Sequence, residues 1–298
     1  MHPLLPLLAA CTASAGPDLP GSAVPEGFWD HWGDGQAELA GYSLTQPRYG
    51  AQREGTAVLV FVTETFTQAQ RVKSDGGHPD EFPVLKLNEV RDFTTGIYDY
   101  NILTSSFVRL DGQLPLGVPT KVSMSMQEWC GHVYDQTLAI DGGLRHEGHS
   151  YFDGEGDHET VLPRPGDGVQ ADALPILVRG LAGPLVAPGE ERRIQLLPSL
   201  MQARLTHRAP TWTPATVSRS AGAEAVEVPA GTFQAHTVTV VPDGRPATTW
   251  WVEDAAPHRI VRWERTDGEV GELRGTVRTA YWQLNGPGGE AWRSKIGL

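Results

Sequence analysis

The chain has 298 residues, about two-fifths of them apolar, enough for one large β domain or two ordinary domains. Its 36 Asp and Glu against 24 Lys and Arg give a formal charge of −12, which repels a phosphate backbone and argues against nucleic acid as a partner. The 34 glycines and 23 prolines favour short strands and turns over long helices, and no apolar run reaches the roughly 18 residues of a spanning helix.

At the amino terminus, MHPLLPLLAAC is apolar and ends in Leu8, Ala9, Ala10 and Cys11. Small residues before a cysteine resemble a bacterial lipobox, so residues 1–10 read as a signal peptide and Cys11 as the lipid attachment point. The leader departs from the usual pattern: it has His2 where Lys or Arg is customary, and Pro3 and Pro6 interrupt it. Several acyl chains on one residue hold a protein at a bilayer, because each buried methylene contributes about 0.8 kcal/mol. The segment behind it, TASAGPDLPGSAVPE, is small, proline-rich and aperiodic, so residues 11–26 read as the lipidated cysteine and a flexible tether. Thr12 stands where the resemblance would place aspartate as an inner-membrane retention signal. The expected address is therefore the cell envelope, with the outer membrane facing the periplasm favoured over the inner membrane.

From residue 28 the pattern changes. FWDHWGDGQAELAGYSL brings aromatics, a GDG turn and a strand-like run. REGTAVLVFVTETF reads as a mostly buried strand. VLKLNEVRDFTTGIYDYNILTSSFVRL alternates on both sides of Thr95-Gly96 and reads as a long hairpin. In KVSMSMQ, Val122, Met124 and Met126 alternate with polar residues at a period of two. LPRPGDGVQ is the clearest internal break, dividing an amino-terminal β half at 27–165 from a carboxy-terminal β half at 166–298, which could equally be one continuous domain. ADALPILVRGLAG suits a short helix, weakened by Pro175. ERRIQLLPSLMQARLTHR favours strand, because Pro198 interrupts any helical period. Four further runs of strand composition, punctuated by PDG, EDAAP and TDGEVG, suggest an antiparallel meander. The expected fold is mainly β: a large antiparallel meander curved like a half-barrel, with one or two short helices.

Three groups of residues invite chemistry. Cys130 and His132, two apart, could meet on one face of a strand as nucleophile and base, but a face shared with Met124 and Met126 favours simple packing. No G-x-S-x-G signature accompanies them, and no cofactor is called for. His132, His146, His149 and His158 lie close in sequence with Asp153, Glu155 and Asp157 among them, a set that could hold a metal, although RHEGH lacks the spacing of H-E-x-x-H. DGEGD begins like a calcium loop, but His158 and Arg164 occupy the positions where glycine and glutamate belong. Trp29 and Trp32, with Phe28, suit either a membrane-proximal edge or a plug. Adjacent Trp250 and Trp251 must face opposite ways on a strand, so one of them is a candidate for a ligand surface.

PAGTFQAHTVTV and TTWWVEDAAPHRIVRWE resemble the carboxy-terminal meander of periplasmic β proteins of the DUF3108 type, themselves similar to the LolA and LolB lipoprotein-carrier half-barrels. AELAGYSLTQPRYG, FTTGIYDY and QEWCGHVYDQ are similar to bacterial proteins sometimes labelled septum-formation inhibitor Maf, whose Ser-x-Ser-Pro-Arg-Arg motif is absent here. The first resemblance implies a half-barrel in the envelope and no reaction. The expectation is a non-catalytic, lipid-anchored protein that binds or carries a hydrophobic ligand or envelope component. A Cys130/His132 hydrolase and a histidine-cluster metal protein are the alternatives.

Overall fold

Wherever apolar and polar residues alternate, the chain runs extended, because successive side chains of a strand point to opposite faces. The computed structural model describes residues 17–298, which form a mainly β protein; the leader and Cys11 lie outside the described residues. Eight strands pair in chain order: β1 (Ala37–Arg48), β2 (Ala51–Thr67), β3 (Glu81–Thr95), β4 (Tyr98–Arg109), β5 (Lys121–Glu128), β6 (Gly131–Ile140), β7 (Gly143–Ser150) and β8 (His158–Pro163). A second run comprises β9 (Gly168–Gln170), β10 (Glu191–Leu197), β11 (Thr213–Arg219), β12 (Glu224–Val228), β13 (Gly231–Pro242), β14 (Thr248–Glu253), β15 (Ile260–Arg265) and β16 (Val270–Thr279). Antiparallel pairing of β1 with β16 joins both runs into one 16-stranded sheet.

The break at LPRPGDGVQ falls between the two edges of this sheet. Strand β8 ends at Pro163 and β9 begins at Gly168. Those five steps span at most about 18 Å, so the sheet is rolled until its edges come near each other, without closing into a barrel. Strand β9 runs parallel to β10, and on its other side the Thr137 hydroxyl of β6 donates to Gln170 Oε1 at 2.9 Å.

The hollow of the roll is largely filled. Helix α1 (Phe28–Trp32) buries Phe28 and Trp32 against Phe61 of β2, while Trp29 stays 46 % exposed. Pro175 opens helix α2 (Leu174–Leu177) in its first turn, where its missing N–H has no intrahelical partner to lose. Leu174, Ile176 and Leu177 are buried in the main core with Trp250 and Trp263. Both segments act as internal plugs, so the concave face is mostly protein core.

Three expectations change. Residues 17–26 are a strap rather than a free tether: Leu19 is buried, Leu19 N–H donates to Gly166, Leu116 N–H to Pro20, and Ala23 N–H to Ala182. ERRIQLLPSLMQARLTHR divides at Pro198 into β10 and helix α3 (Leu200–Thr206), whose N-cap Ser199 accepts from Gln202 N–H at 3.1 Å. The phase of Cys130 and His132 also reverses. Trp129 and Cys130 form a two-residue turn, so Met126 pairs with Val133 and Gln127 with His132. Cross-strand partners share a face, and both Cys130 and His132 are exposed.

On the convex face the chain end lies across the junction of the two runs. Gly41 of β1 pairs with Gly275 of β16. A methyl group at either would approach the backbone of Ile296 or Lys295 within 2.1 or 2.6 Å, so only glycine lets the 3₁₀ segment Gly289–Ile296 lie on the sheet.

Candidate functional site: the mouth of the hollow

The strands that roll around the plugs leave space at one end. An inner chamber of about 80 Å³ is walled by Leu59, Thr104, Asp172, Leu174, Trp250 and Trp263. It adjoins an outer chamber of about 540 Å³, and the residues common to both include Leu196, Met201, Gln202, Pro242, Arg265 and Glu269. The outer rim carries Arg48, Arg208 and Arg245, a concentration of cations in an acidic chain. Arg48 is braced by Tyr100 Oη at 3.2 Å and the Leu205 carbonyl at 2.8 Å, and lies over the Tyr49 ring.

Three buried ionisable groups, Arg91, Glu269 and Asp172, stand at the throat. Arg91 Nη1 meets Glu269 Oε1 at 2.8 Å, and its Nε meets Glu89 at 2.6 Å. Burial opposes ionisation of Glu269, but Arg91 and Arg265 outweigh it and hold the carboxyl below the usual carboxylate range. Trp263 Nε1 donates to the same carboxylate at 2.9 Å. Asp172 differs: burial pushes its pKa up to about 7, and the Leu200 N–H that it accepts only partly offsets this. The throat thus combines a fixed ion pair with an acid that holds its proton across mildly acidic pH.

Of the tryptophans singled out in the sequence, Trp250 faces the inner chamber and Trp32 the core. Trp251 lies on the opposite face, donating to Glu224 at 3.0 Å with Arg262 over its ring. The Glu128 carboxylate, which accepts from the Cys130 backbone N–H at 2.8 Å, pushes the Cys130 thiol pKa up, the reverse of an activated nucleophile.

The histidines separate into two groups. His132 is exposed beside its partner Gln127. His149 faces solvent, 3.1 Å from Asp157. His146 and His158 come together, ring centroids 4.9 Å apart, and Asp135 joins them: its Oδ1 is 3.1 Å from His146 Nε2. Sequence reasoning missed Asp135, Arg91, Asp172 and Glu269. Asp135 becomes visible only once the β6–β7 register sets it opposite Gly148.

These features define an open, internally plugged antiparallel β roll with a cationic-rimmed mouth. Comparison of the chain with protein-family models, curated proteins and solved structures finds no match.

Proposed function

We propose that this is a lipid-anchored envelope protein whose folded part binds an amphipathic, acyl-type ligand at the mouth of the hollow, without catalysing a reaction on it. The observation that carries the reading is the pair of adjoining chambers. The outer one, about 540 Å³, falls within the roughly 300–1,000 Å³ of small-molecule sites, whereas the inner one, about 80 Å³, takes only a ligand's tip. Met201, Pro242, Trp250 and Trp263 offer apolar wall, and the rim arginines suit an anionic head group.

A fluorescent polyene fatty acid is expected to bind saturably at one site per chain. Gln202→Trp, which narrows the throat, and Arg245→Glu, which reverses a rim charge, should each weaken it by roughly tenfold, about 1.4 kcal/mol. Absence of saturable binding, or equal binding by all three proteins, rejects the site.

The anchor rests on the lipobox resemblance. Because the Pro17 carbonyl is held by Arg192 at 2.9 Å, a lipid on Cys11 would leave six residue steps, at most about 21 Å, between bilayer and fold. Cells fed radiolabelled palmitate should label the protein, and Cys11→Ser should release it from the membrane fraction. An unlabelled protein, or unchanged fractionation, removes the anchor while leaving the ligand site to its own test.

A further inference from the structure

We infer that Asp135, His146 and His158 form a binding site for a first-row divalent transition metal, on the concave face of β6–β8 and across helix α3 from the mouth of the hollow. The argument starts with register. Asp135, Gly148 and His158 lie directly opposite one another on three neighbouring strands, and His146 is two residues along β7 from Gly148. Cross-strand partners and residues two apart share a face, so all three side chains project the same way.

Gly148 makes room between them. A Cβ there would lie 2.2 Å from His158 Cε1, 2.7 Å from His158 Nε2 and 2.5 Å from Asp135 Oδ1. The donors therefore converge in the gap left by the missing side chain. One donor atom from each residue lies within 4.8 Å of the other two.

Tautomer and mobility agree with this role. His158 Nδ1 is 3.0 Å from the Gly156 carbonyl. A carbonyl only accepts, so Nδ1 carries the hydrogen and Nε2 keeps its lone pair. A backbone carbonyl holding the far nitrogen is how metal-bound histidines are commonly oriented. His146 is buried and its Nε2 faces Asp135; the carboxylate only accepts, so in the metal-free protein Nε2 carries the hydrogen, which has to move to Nδ1 for Nε2 and the carboxylate to serve as two donors. Tetrahedral zinc with donors at about 2.0–2.1 Å needs them about 3.3 Å apart. The His146–Asp135 separation of 3.1 Å already suits this. His158 has to close the remaining gap, and it sits exposed on the edge strand β8, with no further strand packed beyond it.

Two imidazoles and one carboxylate suit zinc or ferrous iron and disfavour calcium or magnesium. Three protein donors leave a further position open, and the face above it is a pocket of about 440 Å³ closed by Ala203, Arg204 and His207. An open position of this kind belongs to metals that bind an exchangeable ligand rather than to closed structural sites.

The test uses full-length protein purified without a histidine tag. Equilibrium dialysis against Zn²⁺ should give one tight site per chain, and Co²⁺ should give the intense visible absorption of a tetrahedral N/O site. His158→Ala, at an exposed position, should keep its denaturation midpoint and lose at least roughly tenfold in Zn²⁺ affinity. Gly148→Ala should also lose Zn²⁺ affinity by filling the gap, here with some loss of stability because the added methyl crowds His158 and Asp135, whereas His132→Ala and His149→Ala should change nothing. Elemental analysis of the freshly isolated protein separates zinc from iron as the resident ion. Zn²⁺ binding no tighter than that of His158→Ala, or binding that follows His132 or His149 instead, overturns the proposal.

Discussion

Replacing Arg179 by methionine is expected to lower the stability of the fold by about 3–5 kcal/mol, the usual cost of removing one partner from a buried ion pair. Arg179 and Glu38 are 3 % and 2 % exposed. The guanidinium meets both carboxylate oxygens, at 2.8 and 3.1 Å, and donates to the His258 and Pro257 carbonyls at 2.8 and 2.9 Å. Its Cζ lies 4.3 Å from the Phe61 ring centroid. Methionine fills part of the volume but leaves the Glu38 carboxylate buried without its partner and takes the donor from two part-buried carbonyls, which costs more than the pair contributes. Pairing Arg179→Met with Glu38→Leu should therefore recover much of the loss. Urea unfolding of the wild type, both single variants and the double variant measures this coupling. Strict additivity, or a loss below about 1 kcal/mol for Arg179→Met, contradicts the argument.

Asp172→Asn is expected to stabilise the protein at alkaline pH and to do little at acidic pH. The sign follows from the proton count. The folded protein holds the Asp172 proton up to about pH 7, whereas the unfolded chain releases it near the ordinary aspartate value of 3.8. Between those two values the folded state binds more protons, so this group's contribution to stability falls as pH rises and its full cost is present above pH 7. A separation of about three pKa units corresponds to about 4 kcal/mol. Asparagine keeps an oxygen for the Leu200 N–H, which Asp172 accepts at 3.3 Å, and does not ionise. Denaturation midpoints of both proteins from about pH 4 to pH 8 should diverge with rising pH. A difference that stays flat, or that grows towards acid, contradicts the burial argument.

Local pattern made much of the sheet readable. Val122, Met124 and Met126 alternate in the sequence and are all buried. The hairpin about Thr95-Gly96 is β3 and β4, paired from Val84↔Arg109 to Thr95↔Tyr98. Pattern failed where a turn resets the phase, as at Trp129-Cys130, which puts His132 outside. It also failed for segments fixed by tertiary contacts: the strap at 17–26 has the composition of a linker, yet buries Leu19. The buried ion pairs were unreadable for a different reason. A buried charge is stable only with its partner, and Glu38 and Arg179 are 141 positions apart. Arg91 and Glu269 are likewise remote, and nothing in either neighbourhood announces the other. The metal candidates lie between these cases. Four histidines were visible, but only the strand register selects two of them and adds Asp135.

The pairing of Ala37 with Thr279 sets a timetable for synthesis. As the chain emerges, β1 gains β2 early but keeps one row of unmet amides and carbonyls until β16 has been made, and such a bare edge invites pairing with other chains. The early meander must therefore be sheltered, or kept unfolded, until its late partner arrives. Closing so long a loop adds little free energy beyond a shorter one but slows the search.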